Sequence, residues 1–265
     1  MLLSTQTQFQ SRVHCNEHLE HTAQYKQLHL RSVYQAIFDR DLQVIGVEAL
    51  VRITDENKQC IRPDMFFDSP KIDLEDKINV ERLSRVIHIR NFANSIHRDK
   101  QLFLNVLPSA GEFFALEDIR VDLLSRRIKE LELSANQIVM EVVEQDANDE
   151  RCLKNAMKRL SDVGFQIAID DFGMQASNHQ RVEEIKPNIL KIDRSLLLAY
   201  MEGNLEPLLN GLDLAKRVDA KVVVEGIETA EQLEAMKLLN VDFYQGYYLA
   251  MPQRLEMVNL HTIES

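Results

Sequence analysis

The chain has little cysteine, no long apolar run and no surplus of basic charge. Three cysteines, Cys15, Cys60 and Cys152, occur in 265 residues. They are widely spaced and odd in number, so neither a disulfide framework nor a zinc spacing follows, and a reducing cytoplasm is the expected setting. No stretch approaches the ~18 apolar residues that a spanning helix needs. The opening Met1-Leu2-Leu3-Ser4 lacks the basic region and apolar core of a signal peptide. No membrane association is expected. Lys and Arg number 31 against 42 Asp and Glu, a net charge of −11. That excludes a general nucleic-acid-binding surface, which would need basic patches. A small anionic ligand stays open, because bound cations reverse the field of an acidic pocket. No Gly/Ser/Pro-rich linker and no repeat divides the chain, so one domain is expected over residues 31–265, after a polar extension over 1–30. In that extension His14, His18 and His21 have helical spacing, which reads as one face of a solvated surface helix.

Short apolar runs then alternate with amphipathic stretches. Strands are expected at Ser32–Asp39, Gly46–Ile53, Leu102–Leu107, Ile138–Glu144, Gln166–Phe172, Ile189–Asp193, Lys221–Ile227 and Asp242–Leu249. Several are apolar on consecutive positions, as strands covered on both faces are. Helices are expected at Asn79–His97, Ile119–Leu133, Asp149–Val163, Leu205–Val218 and Ala230–Leu239, from apolar residues three or four apart. The alternation predicts an α/β protein, a modified TIM-type (β/α)8 barrel. The first two strands are joined only by Arg40–Val44, too short for a crossover helix, so the first strand should be antiparallel.

Polar residues interrupt these apolar strands at their ends, where sites form in such barrels. They are Glu48, Asn105, Glu141 with Glu144, Asp170 with Asp171, Lys191 with Asp193, Glu225 with Glu228, and Gln245. Singly, each reads best as an exposed strand-end acid or an ion-pair partner. Together, converging carboxylates repel one another unless a cation balances them. Oxygen donors of this kind suit Mg²⁺, Mn²⁺ or Ca²⁺.

As an ordered set the motifs carry a resemblance. Glu48-Ala49-Leu50-Val51-Arg52, Asn105, Glu141 with Glu144, Asp170-Asp171-Phe172-Gly173, Leu190-Lys191-Ile192-Asp193, Glu225-Gly226-Ile227-Glu228-Thr229 and Gln245-Gly246-Tyr247 resemble the EAL domain family of cyclic di-GMP phosphodiesterases. The likeness runs from Tyr34-Gln35 to Met251-Pro252. It implies metal-dependent hydrolysis of cyclic di-GMP to linear pGpG by a stand-alone member with a two-metal site for Mg²⁺ or Mn²⁺, Ca²⁺ binding without turnover. One metal would be held by Glu48, Asn105, Glu141 and Asp170, the second by Asp170 and Asp171 with Glu225 near it through water. Lys191 would orient or deprotonate the attacking water, its pKa lowered by the two cations, with Glu48 and Glu225 completing the catalytic group. Arg52 would contact a phosphate, Gln35 and Gln245 would position substrate or water, and Glu144 would brace the loop after the fifth strand. Partners implied are cyclic di-GMP, a second copy in a homodimer and a regulatory protein.

Some positions depart from the family pattern. After Asp170-Asp171-Phe172-Gly173 the family continues Thr-Gly-Tyr-Ser-Ser-Leu, whereas this chain reads Met174-Gln175-Ala176-Ser177-Asn178-His179. That loop links the dimer interface to the metal site in the family. The alternative it raises is a weak or inactive module that binds cyclic di-GMP or a protein partner. Ile53 stands where the family often has Trp, and Ala36 where Pro is usual.

Overall fold

The computed structural model describes residues 2–3, 5–106, 121–143, 150–173 and 179–258. Its strands are β1 (Val13–Cys15), β2 (His21–Tyr25), β3 (Leu28–Phe38), β4 (Val44–Thr54), β5 (Cys60–Ile61), β6 (Gln101–Val106), β7 (Ile138–Val143), β8 (Gln166–Phe172), β9 (Ile189–Ile192), β10 (Lys221–Val224) and β11 (Phe243–Tyr244). Its helices are α1 (Gln6–Gln10), α2 (Pro63–Phe67), α3 (Leu74–Ala93), α4 (Val121–Glu130), α5 (Glu150–Asp162), α6 (His179–Ile185), α7 (Arg194–Met201), α8 (Glu206–Arg217) and α9 (Ala230–Leu238). Among the described residues no helix is long and apolar enough to cross a membrane.

Strand β3 pairs antiparallel with β4 on one side and with β11 on the other. From β4 through β6, β7, β8, β9 and β10 to β11 every pairing is parallel. The sheet therefore closes as an eight-stranded barrel with one reversed strand, as the short Arg40–Val44 link requires.

Inside the barrel, Ile37, Phe103, Val139, Ala168, Ile189 and Val223 form a buried apolar layer with Phe243 packed against it. Outside it, the helices cover the sheet with two larger clusters, one around Leu102, Met140 and Leu160 and one around Leu190, Leu214 and Val224. Strands alternate sides with period two. Two residues beyond that inner layer, toward the C-terminal strand ends, lie Asn105, Glu141, Asp170, Lys191, Glu225 and Gln245. On the reversed β3 the equivalent position is Gln35, which faces Glu48 in register. The apolar floor thus fixes the polar ring above it.

Residues 1–30 differ from the expectation. His14 lies on β1, His18 in a turn and His21 on β2, a hairpin paired to β3 rather than a surface helix. Tertiary hydrogen bonds explain why local pattern did not reveal it. Asn91 of α3 accepts from His21 N at 2.6 Å and donates to His21 O at 2.8 Å. Asn79 accepts from Leu3 N at 2.8 Å, and Arg82 donates to Leu3 O at 2.8 Å. Other boundaries moved as well. Helix α3 starts at Leu74, α2, α6 and α7 lie outside the expected helices, and the last two strands stop at Val224 and Tyr244. Leu107 and Glu144 lie outside the described residues.

The face of β3 turned to α3 holds Ser32, whose hydroxyl lies 2.7 Å from His88 Nδ1, and Tyr34, whose hydroxyl donates to His88 O. Burial, with Arg85 adding to it, pushes the His88 pKa down to about 3 from an ordinary 6.5. The unfolded chain takes up this proton near 6.5 while the folded state refuses it, so stability is full above that pH and falls with acidification toward 3. Urea melts from pH 6.5 to 4 are expected to show His88→Gln losing less stability than the wild type, by up to ~1.4 kcal/mol per pH unit. Parallel slopes would contradict the assignment.

Candidate metal centre

Lys191 stands at the middle of the polar ring, 0% exposed. Its Nζ lies 2.7 Å from Glu141 Oε1, 2.8 Å from Glu225 Oε1, 3.0 Å from Asp170 Oδ1 and 3.6 Å from Glu48 Oε2. The attraction is one of charge more than of direction. Lys191 Nζ and both oxygens of the fully buried Glu141 lack an aligned hydrogen-bond partner. Buried polar groups are seldom left so, and one ammonium cannot balance the five acids Glu48, Glu141, Asp170, Asp171 and Glu225.

The rest of the ring is held by amides. Gln245 Nε2 donates to Glu48 Oε2 at 2.7 Å and lies 3.4 Å from Gln35 Oε1, whose own amide donates to Ala250 O at 3.1 Å. Asn105 Nδ2 donates to Glu48 Oε1 at 3.1 Å. Arg52 lies further along β4 on the same face as Glu48 and donates to Val51 O.

Asp170 and Asp171 are neighbours on one strand and would ordinarily face opposite ways. Asp171 takes φ 55, and the β8–β9 register shifts between Ile169 and Phe172. That left-handed step, which aspartate tolerates better than most residues, lets both carboxylates serve one space. As a result, Glu48, Glu141 and Asp170 present oxygens within 4.8 Å of one another, and so do Asp170, Asp171 and Glu225. The two triads share Asp170.

Burial is the main influence on the acids. It pushes Glu141 and Glu225 well above the usual carboxylate range and raises Asp170, while Lys191 pulls each of them back. Burial and the Asp170 charge carry Asp171 up to about 6. For Lys191, burial favours the neutral amine, but Asp170, Glu141, Glu225 and Glu48 outweigh it and hold the ammonium well above the ordinary lysine value. The sequence expectation was a pKa lowered by two cations. The carboxylates by themselves act in the opposite direction.

All-oxygen donors arranged in two triads, with neither Glu141 oxygen in an aligned hydrogen bond, fit hard divalent cations. The structure brings together Gln35, Glu48, Asn105, Glu141, Asp170, Asp171, Lys191, Glu225 and Gln245. The Met174–Asn178 segment lies outside the described residues.

A brace through Arg194, a residue outside the sequence motifs, joins the loops after β9 and β10. Arg194 Nη2 lies 2.5 Å from Glu228 Oε2, and the Arg194 stem packs on Gly226, where φ is 67 and a Cβ would meet three of its carbons. Glu225, next in the chain, donates its N–H to Ile192 O at 3.0 Å. The pair is about 42% and 43% exposed, so Arg194→Ala should change stability by less than ~1 kcal/mol. Its expected effect is on Mn²⁺ affinity, weakened ~10–100-fold through a looser Glu225. Calorimetric Mn²⁺ titration checks this, and restored affinity in the charge-reversed pair Arg194→Glu/Glu228→Arg would support the brace.

Comparison with known proteins gives a consistent picture. The EAL domain profile matches residues 17–252, which takes in the hairpin strand β2. The probable cyclic di-GMP phosphodiesterase PdeN of Escherichia coli is 32% identical over 234 residues, 84% of this chain and 43% of that protein. The chain spans about two-fifths of the length of PdeN and of a second Escherichia coli relative, the probable cyclic di-GMP phosphodiesterase PdeD. The EAL-domain protein YkuI of Bacillus subtilis, solved with substrate c-di-GMP and calcium, superposes with a TM-score of 0.74 at 25% identity, covering 87% of this chain and 57% of that one. The MucR phosphodiesterase of Pseudomonas aeruginosa, solved with c-di-GMP, gives 0.72 at 25% identity, covering 84% and 92%.

Proposed function

Because the chain belongs to the EAL domain family, we propose that it hydrolyses cyclic di-GMP to linear pGpG in the cytoplasm, using Mg²⁺ or Mn²⁺ and binding Ca²⁺ without turnover. The observation that carries this reading is the pair of carboxylate triads sharing Asp170 around Lys191. Glu48, Asn105, Glu141 and Asp170 would hold one ion, and Asp170, Asp171 and Glu225 the other. Divalent cations bound there would polarise a phosphodiester and make water a stronger nucleophile at neutral pH.

The chain's own residues do the rest. Water adds its oxygen to one phosphorus, the bond to the leaving oxygen breaks, and the leaving oxygen takes up the proton that the water gives up. Lys191, held cationic by four carboxylates, orients the water by donating hydrogen bonds. Gln245 fixes Glu48, and Gln35 fixes Gln245. Arg52 meets a phosphate through its planar donor fork. Glu144 would brace the loop after β8. A homodimer or a regulatory protein on the barrel face belongs to the same proposal.

Chromatography of cyclic di-GMP incubated with Mn²⁺ tests it. The wild type should yield pGpG, and Glu48→Ala should be slower by ~10²-fold or more. A wild type no faster than this variant, yet binding the dinucleotide in Ca²⁺, would make the chain a binding module. The Met174–His179 sequence specifically favours that second reading.

A further inference from the structure

The two long strands β3 and β4 run on past the polar ring, and on the face they carry there the proposed function uses Arg52 alone. Their register is unbroken from His29↔Thr54 to Ile37↔Gly46. Gln35 faces Glu48, two residues further Val33 faces Leu50, and two further still Arg31 faces Arg52. By the period-two rule all three pairs lie on one face, the face of the acid cluster. The other face is fixed independently, since Leu30 and Ile53 are buried with α3 residues Val80, Leu83 and Ile87. Arg31 therefore projects over the barrel mouth, about 13 Å of strand from the Gln35–Glu48 pair at the usual rise per residue.

Two guanidinium groups directly opposite on adjacent strands repel each other and weaken the sheet. Among the described residues neither is ion-paired with a carboxylate, and the one side-chain bond of Arg52 goes to Val51 O. The pair stands above five carboxylates in a chain of net charge −11. A dianionic dinucleotide approaching that mouth meets a repelling field unless positive groups sit at its rim. Two facing planar forks also match the oxygens of a phosphodiester.

We infer that Arg31 is a second phosphate-binding residue, which with Arg52 forms a cross-strand clamp that draws one phosphate of the dinucleotide to the mouth. The inference rests on the proposed substrate and goes beyond it, since nothing in the motif set includes Arg31.

Calorimetry of cyclic di-GMP binding in Ca²⁺ tests it, with wild type, Arg31→Gln, Arg31→Lys and Arg52→Gln. Arg31→Gln is expected to bind about tenfold more weakly, and its affinity should fall less steeply with added salt. Arg31→Lys should be intermediate, because it keeps the charge and loses the fork. Without ligand, Arg31→Gln should melt at or above the wild-type temperature, as repulsion is relieved; a merely structural arginine would lower it. Wild-type affinity in Arg31→Gln overturns the clamp and leaves the proposed activity standing. A wild type that binds no cyclic di-GMP overturns both.

Discussion

Replacing Lys191 by methionine is expected to destabilise the protein by about 3–5 kcal/mol in the absence of divalent cations and to slow turnover by ~10²–10⁴-fold. Lys191 is the one cation within 3.6 Å of Glu48, Glu141, Asp170 and Glu225 among the described residues. A methionine fills similar space, so the loss is electrostatic more than steric. It leaves buried acids with no opposing charge, the costly way to break a buried ion pair. Urea denaturation measures the first effect and pGpG formation the second. Added Mn²⁺ should return part of the stability, because another cation then balances the same acids, but not the turnover. A variant as stable as wild type would mean that the acids are already neutral.

Gly246→Ala is expected to be nearly as damaging for a different reason. A Cβ at Gly246 would overlap the backbone oxygen and nitrogen of Ile227. That contact cannot relax easily, because the two segments are joined by Ile227 N to Gln245 O at 3.1 Å and Tyr248 N to Ile227 O at 3.0 Å. Overpacking costs ~1–3 kcal/mol and more where backbone must move, so a loss at or beyond that upper end is expected in urea. Activity should fall further than stability alone explains, since the displaced Gln245 holds Glu48 and the displaced Ile227 segment carries Glu225. Full activity in Gly246→Ala would show that the close approach is dispensable.

The barrel and the convergence of its polar residues were legible in the sequence because both follow from period two. Apolar residues at 103, 139, 168, 189 and 223 mark the floor, and polar residues two positions on mark the ring. What local pattern does not contain is long-range. The hairpin of β1 and β2 is short, and is held to α3 by Asn91 at the His21 backbone, by Asn79 at the Tyr25 hydroxyl and by burial of Ala23 and Tyr25. Helix α7 was hidden because Asp193, read as the end of a strand, caps that helix by accepting from Ser195 N at 2.8 Å. The left-handed Asp171 cannot be inferred from an Asp-Asp pair, and Arg31 gains meaning only once its register opposite Arg52 is known.

The proposed function requires the acids of the ring to act together as a cation site. Calorimetric titration of the wild type and Asp170→Asn with Mn²⁺ measures that directly. Asp170 belongs to both triads, so the wild type should take up two ions per chain and the variant should bind neither with comparable affinity. A wild type that takes up no Mn²⁺, or an Asp170→Asn variant that binds it equally well, would contradict the account.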